Sequence, residues 1–267
     1  MLREAPPGTE GAAAGRQRSV VIIALYLLLI AGAELTTNVD KRYGIAFHAC
    51  ILFVLLIHSA VTVTANRAFS GLLSTLVLAP LIRILSISMP LTRFNFVTWF
   101  ELVSIPVFIT IFTLIYLQGV DPHDIALNRP KVKYVPLELG AIFFAVPFGI
   151  VEYHILKPGI LVPLGFESLM VPAVILIVCT GFLEELAFRG LMQYHAVRTL
   201  GFVGIILISV LFGFLHIGNL SVPDVLLASS VGFLYSLIVR VTDSIYGVSI
   251  SHGIINIVVF LIGPSIF

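Results

Sequence analysis

Long runs of apolar residues, separated by short polar connections, constrain this chain more than any other feature. Nine runs approach the roughly 20 residues that a helix needs to cross a bilayer. They cover residues 19–35, 45–64, 70–90, 98–119, 137–156, 170–192, 202–217, 224–240 and 245–263. Backbone polar groups have no water to bind inside lipid, so spanning segments of this kind are helices. The sequence therefore predicts an all-α fold, a polytopic transmembrane helix bundle of eight or nine spans.

The composition supports a membrane protein and excludes other classes. Of 267 residues, 59% are hydrophobic and 11% are charged, whereas about a quarter of a soluble domain is charged. Disorder needs low hydrophobicity and high charge, and a nucleic-acid binder needs a basic surface that a net charge of +1 does not supply. The two cysteines, Cys50 and Cys179, form no CxxC motif. The expected surroundings are the lipid bilayer, with no nucleic acid.

Polar interruptions divide the chain into three parts. Residues 1–18 are rich in Gly, Ala, Pro and charge and predict a short disordered tail. The longest polar connection ends at residue 136, so we expect N-terminal helices over 19–136 and C-terminal helices over 137–267. The third apolar run contains Pro80 and Arg83, which indicates a broken or partly interfacial helix. Eight spans are the alternative if this run does not cross.

Basic residues predict the orientation, because Lys and Arg accumulate in short cytoplasmic loops. A cytoplasmic N-terminus places ten of them inside, namely Arg3, Arg16, Arg18, Arg67, Arg129, Lys131, Lys133, Arg189, Arg198 and Arg240. It places four outside, namely Lys41, Arg42, Arg93 and Lys157. We therefore expect an integral multi-pass protein with its N-terminus in the cytoplasm. The alternative is a secretory signal cleaved near Ala31-Gly32-Ala33.

The sixth apolar run contains three ionisable residues, which are costly in a bilayer and so indicate function. Glu185 and Arg189 are four residues apart and share a helix face, which predicts a structural ion pair. Glu184 points about 100° away from Glu185 on a helix of 3.6 residues per turn. We therefore expect Glu184 to be the less neutralised acid, free to face a cavity.

Two further runs contribute the remaining polar groups. His216 interrupts the seventh run, with Phe212 one turn earlier as a supporting residue. His252 and Asn256 lie four residues apart in the ninth run, hence on one helix face.

Spacing predicts that these groups meet at one depth. If the sixth and seventh runs form a hairpin that turns near Leu200-Gly201, Glu184 and His216 are equally far from the turn. Polar residues near this turn suggest that it protrudes into the cytosol; they are Gln193, His195, Arg198 and Thr199. We therefore expect the four groups in the cytoplasmic half of the bilayer.

A carboxylate, two imidazoles and an amide in one intramembrane pocket suit hydrolysis of a peptide bond. The carboxylate acts as general base towards water, and one imidazole helps to position that water. The other imidazole and the amide are donors for an oxyanion. Thr180 and Cys179 lie about one turn before Glu184, but neither has a His on its own helix face. Water is therefore the expected nucleophile.

Three motifs resemble those of the CPBP intramembrane proteases, which include the endopeptidase that trims prenylated CAAX proteins. They are EExxxR at 184–189, FxxxH at 212–216 and HxxxN at 252–256, and the resemblance covers roughly 170–260. It implies a glutamic-type endopeptidase in which Glu184 and His216 activate water while His252 and Asn256 hold the oxyanion. It implies no cofactor, no metal ion, and a membrane-associated protein or peptide substrate, with a prenylated CAAX protein only by analogy. The family usually has eight spans.

Other functions remain open at this point. Glu and two His form the donor set of a zinc hydrolase, although HExxH is missing and Asn is a poor zinc ligand. The chain also suits a non-catalytic scaffold or immunity-type protein, or a proton-coupled transporter that uses Glu184.

The remaining polar residues within the apolar runs are expected to be structural. Glu101, Glu152 and His154 are interpreted as interfacial or packing groups. His48 and His58 are ten residues apart and do not share a face, so they predict no metal site.

Overall fold

The structure, a computed structural model, describes residues 9–89 and 95–267 and confirms the all-α fold over this part of the chain. Within it, nine helices are long and apolar enough to cross a membrane. They are α1 Thr9–Val39, α2 Lys41–Thr62, α3 Arg67–Ser88, α4 Phe96–Gln118, α5 Val135–Leu156, α6 Phe166–Leu200, α7 Phe202–Asn219, α8 Val222–Thr242 and α9 Tyr246–Ile266. Two short 3₁₀ helices, Pro122–Ile125 and Val132–Tyr134, lie between α4 and α5. The helices match the nine predicted apolar runs, so the larger count is the one supported.

Helix α1 begins earlier than its apolar run. Residues 9–18, which we expected in a disordered tail, form its first turns. Residues 12–18 are mainly Ala, Arg and Gln, which favour helix. Residues 1–8 of the predicted tail lie outside the described residues, as do the basic residues Arg3 and Arg93.

Helix α3 is broken, as Pro80 indicated. Its two parts, Arg67–Leu76 and Leu78–Ser88, meet at Val77. Proline lacks a backbone N–H and fits only the first turn of a helix, which is where Pro80 lies in the second part.

Helix α6 contains two widened π-helical segments, Leu176–Phe182 and Leu186–Met192. They flank one short α-helical segment, Leu183–Glu185, which contains both acidic residues of the first motif. Such π segments are rare and are frequent at functional sites. The helix ends at Gly201, whose φ of +67° makes the turn into α7. The predicted α6–α7 hairpin is thereby confirmed.

Helices α6 and α9 approach backbone to backbone. A Cβ on Gly181 would lie 2.4 Å from the carbonyl oxygen of Ser249, and one on Gly253 would lie 2.7 Å from Ile177 Cα. Glycines allow this approach because they carry no side chain, as is common between membrane helices. The contact brings the motif residues of α6 against those of α9.

Helix α5 runs parallel to α9 and packs along it. Near the start of both helices, Gly247 N–H donates to Glu138 Oε2 at 2.6 Å. Further along both, a Cβ on Gly149 would lie 2.7 Å from Val258 Cβ. Helices α5, α6 and α9 thus form one packed unit, which α7 and α8 complete.

Candidate active site

One cavity of about 220 Å³ lies inside the bundle, between residues of α3, α4, α5, α6, α7 and α9. Four of its lining residues are the predicted catalytic ones, Glu184, His216, His252 and Asn256. The structure therefore brings together side chains from three motifs that are up to 72 residues apart, the distance from residue 184 to residue 256.

Glu184 has the open position that its spacing predicted. Its side chain is 29% exposed, and its Oε2 lies 3.9 Å from His252 Nε2. Within the described part of the chain no hydrogen bond engages its carboxylate. The group is thus free to bind a water molecule in the cavity.

Glu185 has two partners, of which the sequence predicted one. Its side chain is fully buried, and its Oε1 accepts from Arg189 Nη1 at 2.9 Å, which is the expected ion pair. The same oxygen lies 2.9 Å from His252 Nδ1. A carboxylate can only accept, so His252 Nδ1 carries the proton and its Nε2 points towards Glu184. Glu185 therefore orients His252 as well as neutralising Arg189.

His216 is held from its own helix. Its Nδ1 lies 3.1 Å from the carbonyl oxygen of Phe212, one turn earlier. Because a carbonyl only accepts, Nδ1 is protonated, and in the neutral ring Nε2 carries the lone pair. This tautomer leaves His216 able to accept a proton or a hydrogen bond through Nε2.

Phe212 lies at the centre of the polar groups. Its ring centroid is 5.3 Å from that of His216 and 5.8 Å from that of His252. The guanidinium carbon of Arg189 lies 4.2 Å from the same ring centroid, a cation–π geometry. The ring thus lies between the Arg189 charge and the cavity and packs against both imidazoles.

Asn256 is oriented by a residue whose role the sequence did not reveal. Its Nδ2 donates to Thr180 Oγ1 at 2.8 Å, and the Thr180 hydroxyl in turn donates to the Leu176 carbonyl. A carboxamide nitrogen has two N–H groups, so one remains for another acceptor. Thr180 also lines the cavity, one turn before Glu184. Its position next to the first motif was the available signal.

Glu152 was expected to be an interfacial or packing group, but it lines the cavity together with the four predicted residues. Periodicity could not predict this position, because α5 is apolar almost all round and the pattern does not show which face is buried. Glu101 and His154 are exposed and do not line the cavity.

No group of three His, Cys, Asp or Glu residues is arranged to hold a metal ion in the part of the chain that the structure describes. His48 and His58 instead contact separate groups of α1. His48 Nε2 lies 3.3 Å from Glu34 Oε1, and His58 Nδ1 lies 2.9 Å from the Tyr26 hydroxyl.

Comparison with known families supports the motif resemblance. Residues 166–258 match the family described as Type II CAAX prenyl endopeptidase Rce1-like. This segment, the Rce1-like domain, is similar to that family. It contains Glu184, His216, His252 and Asn256, and it is less than half of the chain. Comparisons with curated proteins and with solved structures gave no match. The Rce1-like domain indicates a protease, and the nine apolar helices indicate an integral multi-pass membrane protein.

Proposed function

We propose that this protein is an intramembrane endopeptidase that hydrolyses a peptide bond of a membrane-associated protein or peptide by means of water activated by Glu184. One observation carries the proposal. A carboxylate, two imidazoles and a carboxamide from three helices of the Rce1-like domain line a single cavity.

We assign the activation of water to Glu184 and His216. Glu184 has a free carboxylate on the cavity, which suits a general base that takes a proton from water. His216 offers the unprotonated Nε2 of its fixed tautomer and can hold the second hydrogen of that water. The water oxygen then attacks the carbonyl carbon of the substrate.

We assign the stabilisation of the resulting oxyanion to His252 and Asn256. The second amide N–H of Asn256 is a donor, because Thr180 uses only the first. His252 lies between two carboxylates and donates from Nε2 when it is protonated. Donors fixed in advance at the developing charge are usually the largest single contribution to catalysis.

The cavity also has a wall that suits a lipid-modified peptide. Beside the polar groups it is lined by apolar and aromatic residues, among them Trp99, Phe100, Val103, Val107, Leu156 and Phe260. The family is described as a prenyl endopeptidase, so the proposed substrate is a prenylated peptide that ends in a CAAX sequence. His216 lies at the end of α7 away from the α6–α7 turn, where Asn38 at the end of α1 donates from Nδ2 to the Ile217 carbonyl at 3.4 Å. With a cytoplasmic N-terminus this end of the bundle faces outwards. The two sequence predictions, a cytoplasmic N-terminus and a site in the cytoplasmic half of the bilayer, therefore do not fit together.

The test is cleavage of a farnesylated peptide that ends in CAAX, measured as release of its C-terminal tripeptide by the full chain in lipid nanodiscs. Glu184→Gln should lower the rate by about 10² to 10⁴, the contribution of a general base. Glu101→Gln is the matched control, because Glu101 lies on the neighbouring α4 and does not line the cavity. It should cleave at the wild-type rate.

Three results would contradict the proposal and indicate a different function. Full activity in Glu184→Gln together with its loss in Cys179→Ala would indicate a thiol enzyme. Loss of activity on chelation would indicate metal-assisted hydrolysis. A folded wild-type protein that releases no peptide from any membrane-bound substrate tested would favour a scaffold or a transporter.

A further inference from the structure

A second carboxyl group shares the cavity with Glu184, and no motif includes it. A smaller cavity of about 30 Å³ lies beside the main one, and five residues line both. The five are Glu152, Phe212, His216, His252 and Asn256. Four of them belong to the motifs, whereas Glu152 comes from α5, outside the Rce1-like domain.

The packing of α5 on α9 fixes Glu152 at this place. A Cβ on Gly149 would lie 3.1 Å from the carbonyl oxygen of Ile255, the residue before Asn256. Glu152 follows Gly149 by about one turn and therefore lies on the same side of α5. Side chains on a helix lean towards its N-terminus, which directs the Glu152 carboxyl back towards the level of Asn256.

No structural interaction in the described part of the chain accounts for the presence of the Glu152 carboxyl group inside the bundle. Among the described residues, neither a hydrogen bond nor an ion pair engages it. A polar group inside a bundle is costly without a partner. The small cavity has room for at least one water molecule, and Glu152, His216, His252 and Asn256 supply polar atoms around it. Glu152 is thus placed to exchange a proton with the reacting groups.

We propose that Glu152 is a further catalytic residue, the acid that protonates the leaving amine. The proposal rests on the proposed function. Two carboxyl groups on one buried cavity cost least when one is ionised and the other holds a proton. In this pair Glu184 is the ionised base, and Glu152 is the acid.

The proton balance is then complete. Water gives one proton to Glu184 and forms a C–O bond to the carbonyl carbon, whose oxygen becomes the oxyanion. When the oxyanion collapses, the C–N bond breaks, and the nitrogen takes a proton from Glu152, directly or through the water of the small cavity. The products are a carboxylic acid and an amine. Passage of the proton from Glu184 to Glu152 through cavity water and His216 restores the starting state.

A change of leaving group separates this role from water activation. The probes are the farnesylated CAAX peptide and its analogue with a thioester at the scissile bond, because a thiolate departs without a proton. Glu152→Gln should lower peptide cleavage by about 10² to 10³, within the range for general acid catalysis, and thioester cleavage by less than about threefold. Glu184→Gln should lower both rates, because both substrates need an activated water. Glu101→Gln should change neither.

The assignment fails if Glu152→Gln leaves peptide cleavage intact or lowers both cleavage rates equally. Thermal unfolding in detergent checks that each variant folds. If Glu152→Gln does not fold, Glu152→Asp retains a carboxyl group at a greater distance, and it must still lose more rate on the peptide than on the thioester. If the wild type cleaves neither the peptide nor the thioester, the proposed function itself is contradicted.

Discussion

Thr180 shows how a single hydroxyl positions a reacting group. Its Oγ1 accepts from Asn256 Nδ2 and so fixes the carboxamide that we assign to the oxyanion. A neutral hydrogen bond contributes about 1 kcal/mol, which corresponds to somewhat less than a tenfold change in rate. Thr180 itself touches no reacting atom in the proposal and is a positioning residue.

Thr180→Val should therefore lower the cleavage rate by up to about tenfold with an unchanged KM, because valine keeps the shape and removes the acceptor. Asn256→Ala should cost more, about 10² to 10³, as for loss of an oxyanion donor. Thr180→Ser keeps the hydroxyl and should restore most of the rate. The measurement is the cleavage rate per amount of folded protein in nanodiscs. Equal rates in Thr180→Val and Thr180→Ser would show that Thr180 does not position Asn256.

The sequence predicted the ion pair within a helix and the meeting of the motif residues in one pocket, but not the hydrogen bonds between helices. The Glu185–Arg189 pair follows from a spacing of four residues on one face. The bond from His252 to the same carboxylate joins residues 67 apart, and it depends on the close approach of α6 and α9 at two glycines. Local periodicity carries no information on that approach, so the orienting role of Glu185 emerged only from the fold.

Helices α1 and α3 are joined by a buried ion pair. Glu34 of α1 is fully buried and accepts from Arg83 Nε at 2.5 Å and Nη2 at 2.7 Å. His48 of α2 lies 3.3 Å from the same carboxylate. In the sequence, Arg83 interrupts its apolar run, but no partner for it could be predicted. The pair allows the broken α3 to lie inside the bundle, where Arg83 forms part of the cavity wall.

Breaking this pair should destabilise the fold, because removal of one partner leaves an uncompensated buried charge. Arg83→Gln and Glu34→Gln should each lower the free energy of unfolding by about 3 to 5 kcal/mol, measured by denaturation in mixed micelles. The double variant should lose less than the sum of the two, since neither charge is then stranded.

The exposed Asp40–Arg42 pair is the matched control. Arg42→Gln should change stability by no more than about 1 kcal/mol. Equal effects of Arg83→Gln and Arg42→Gln would show that the buried pair does not hold α1 and α3 together.

At the scale of the whole molecule, two connections meet at one end of the bundle. Ile245 N–H donates to the Ala126 carbonyl at 3.0 Å, and Asn128 Nδ2 donates to Asp243 Oδ2 at 3.1 Å. The α4–α5 connection thus packs on the α8–α9 connection. Four helices, α5 to α8, separate the two connections, and an even number of spans returns the chain to the same side of the membrane, so this contact agrees with the predicted crossing of all four. The number of helices was readable from apolar length alone, whereas their arrangement required contacts between distant segments.

Which side this end faces follows only from the basic residues, and cysteine labelling tests it. Lys131 lies in the α4–α5 connection and Lys157 at the far end of α5, and both are exposed. In a background with Cys50→Ala and Cys179→Ala, an impermeant maleimide added to intact cells should label Lys157→Cys and leave Lys131→Cys unlabelled until the membrane is opened. One spanning helix separates the two sites, so each serves as the control for the other. The reverse pattern would place the α6–α7 turn on the outer side and the end of the bundle that bears His216 and Asn219 towards the cytoplasm. Labelling of both sites from outside would mean that α5 does not cross.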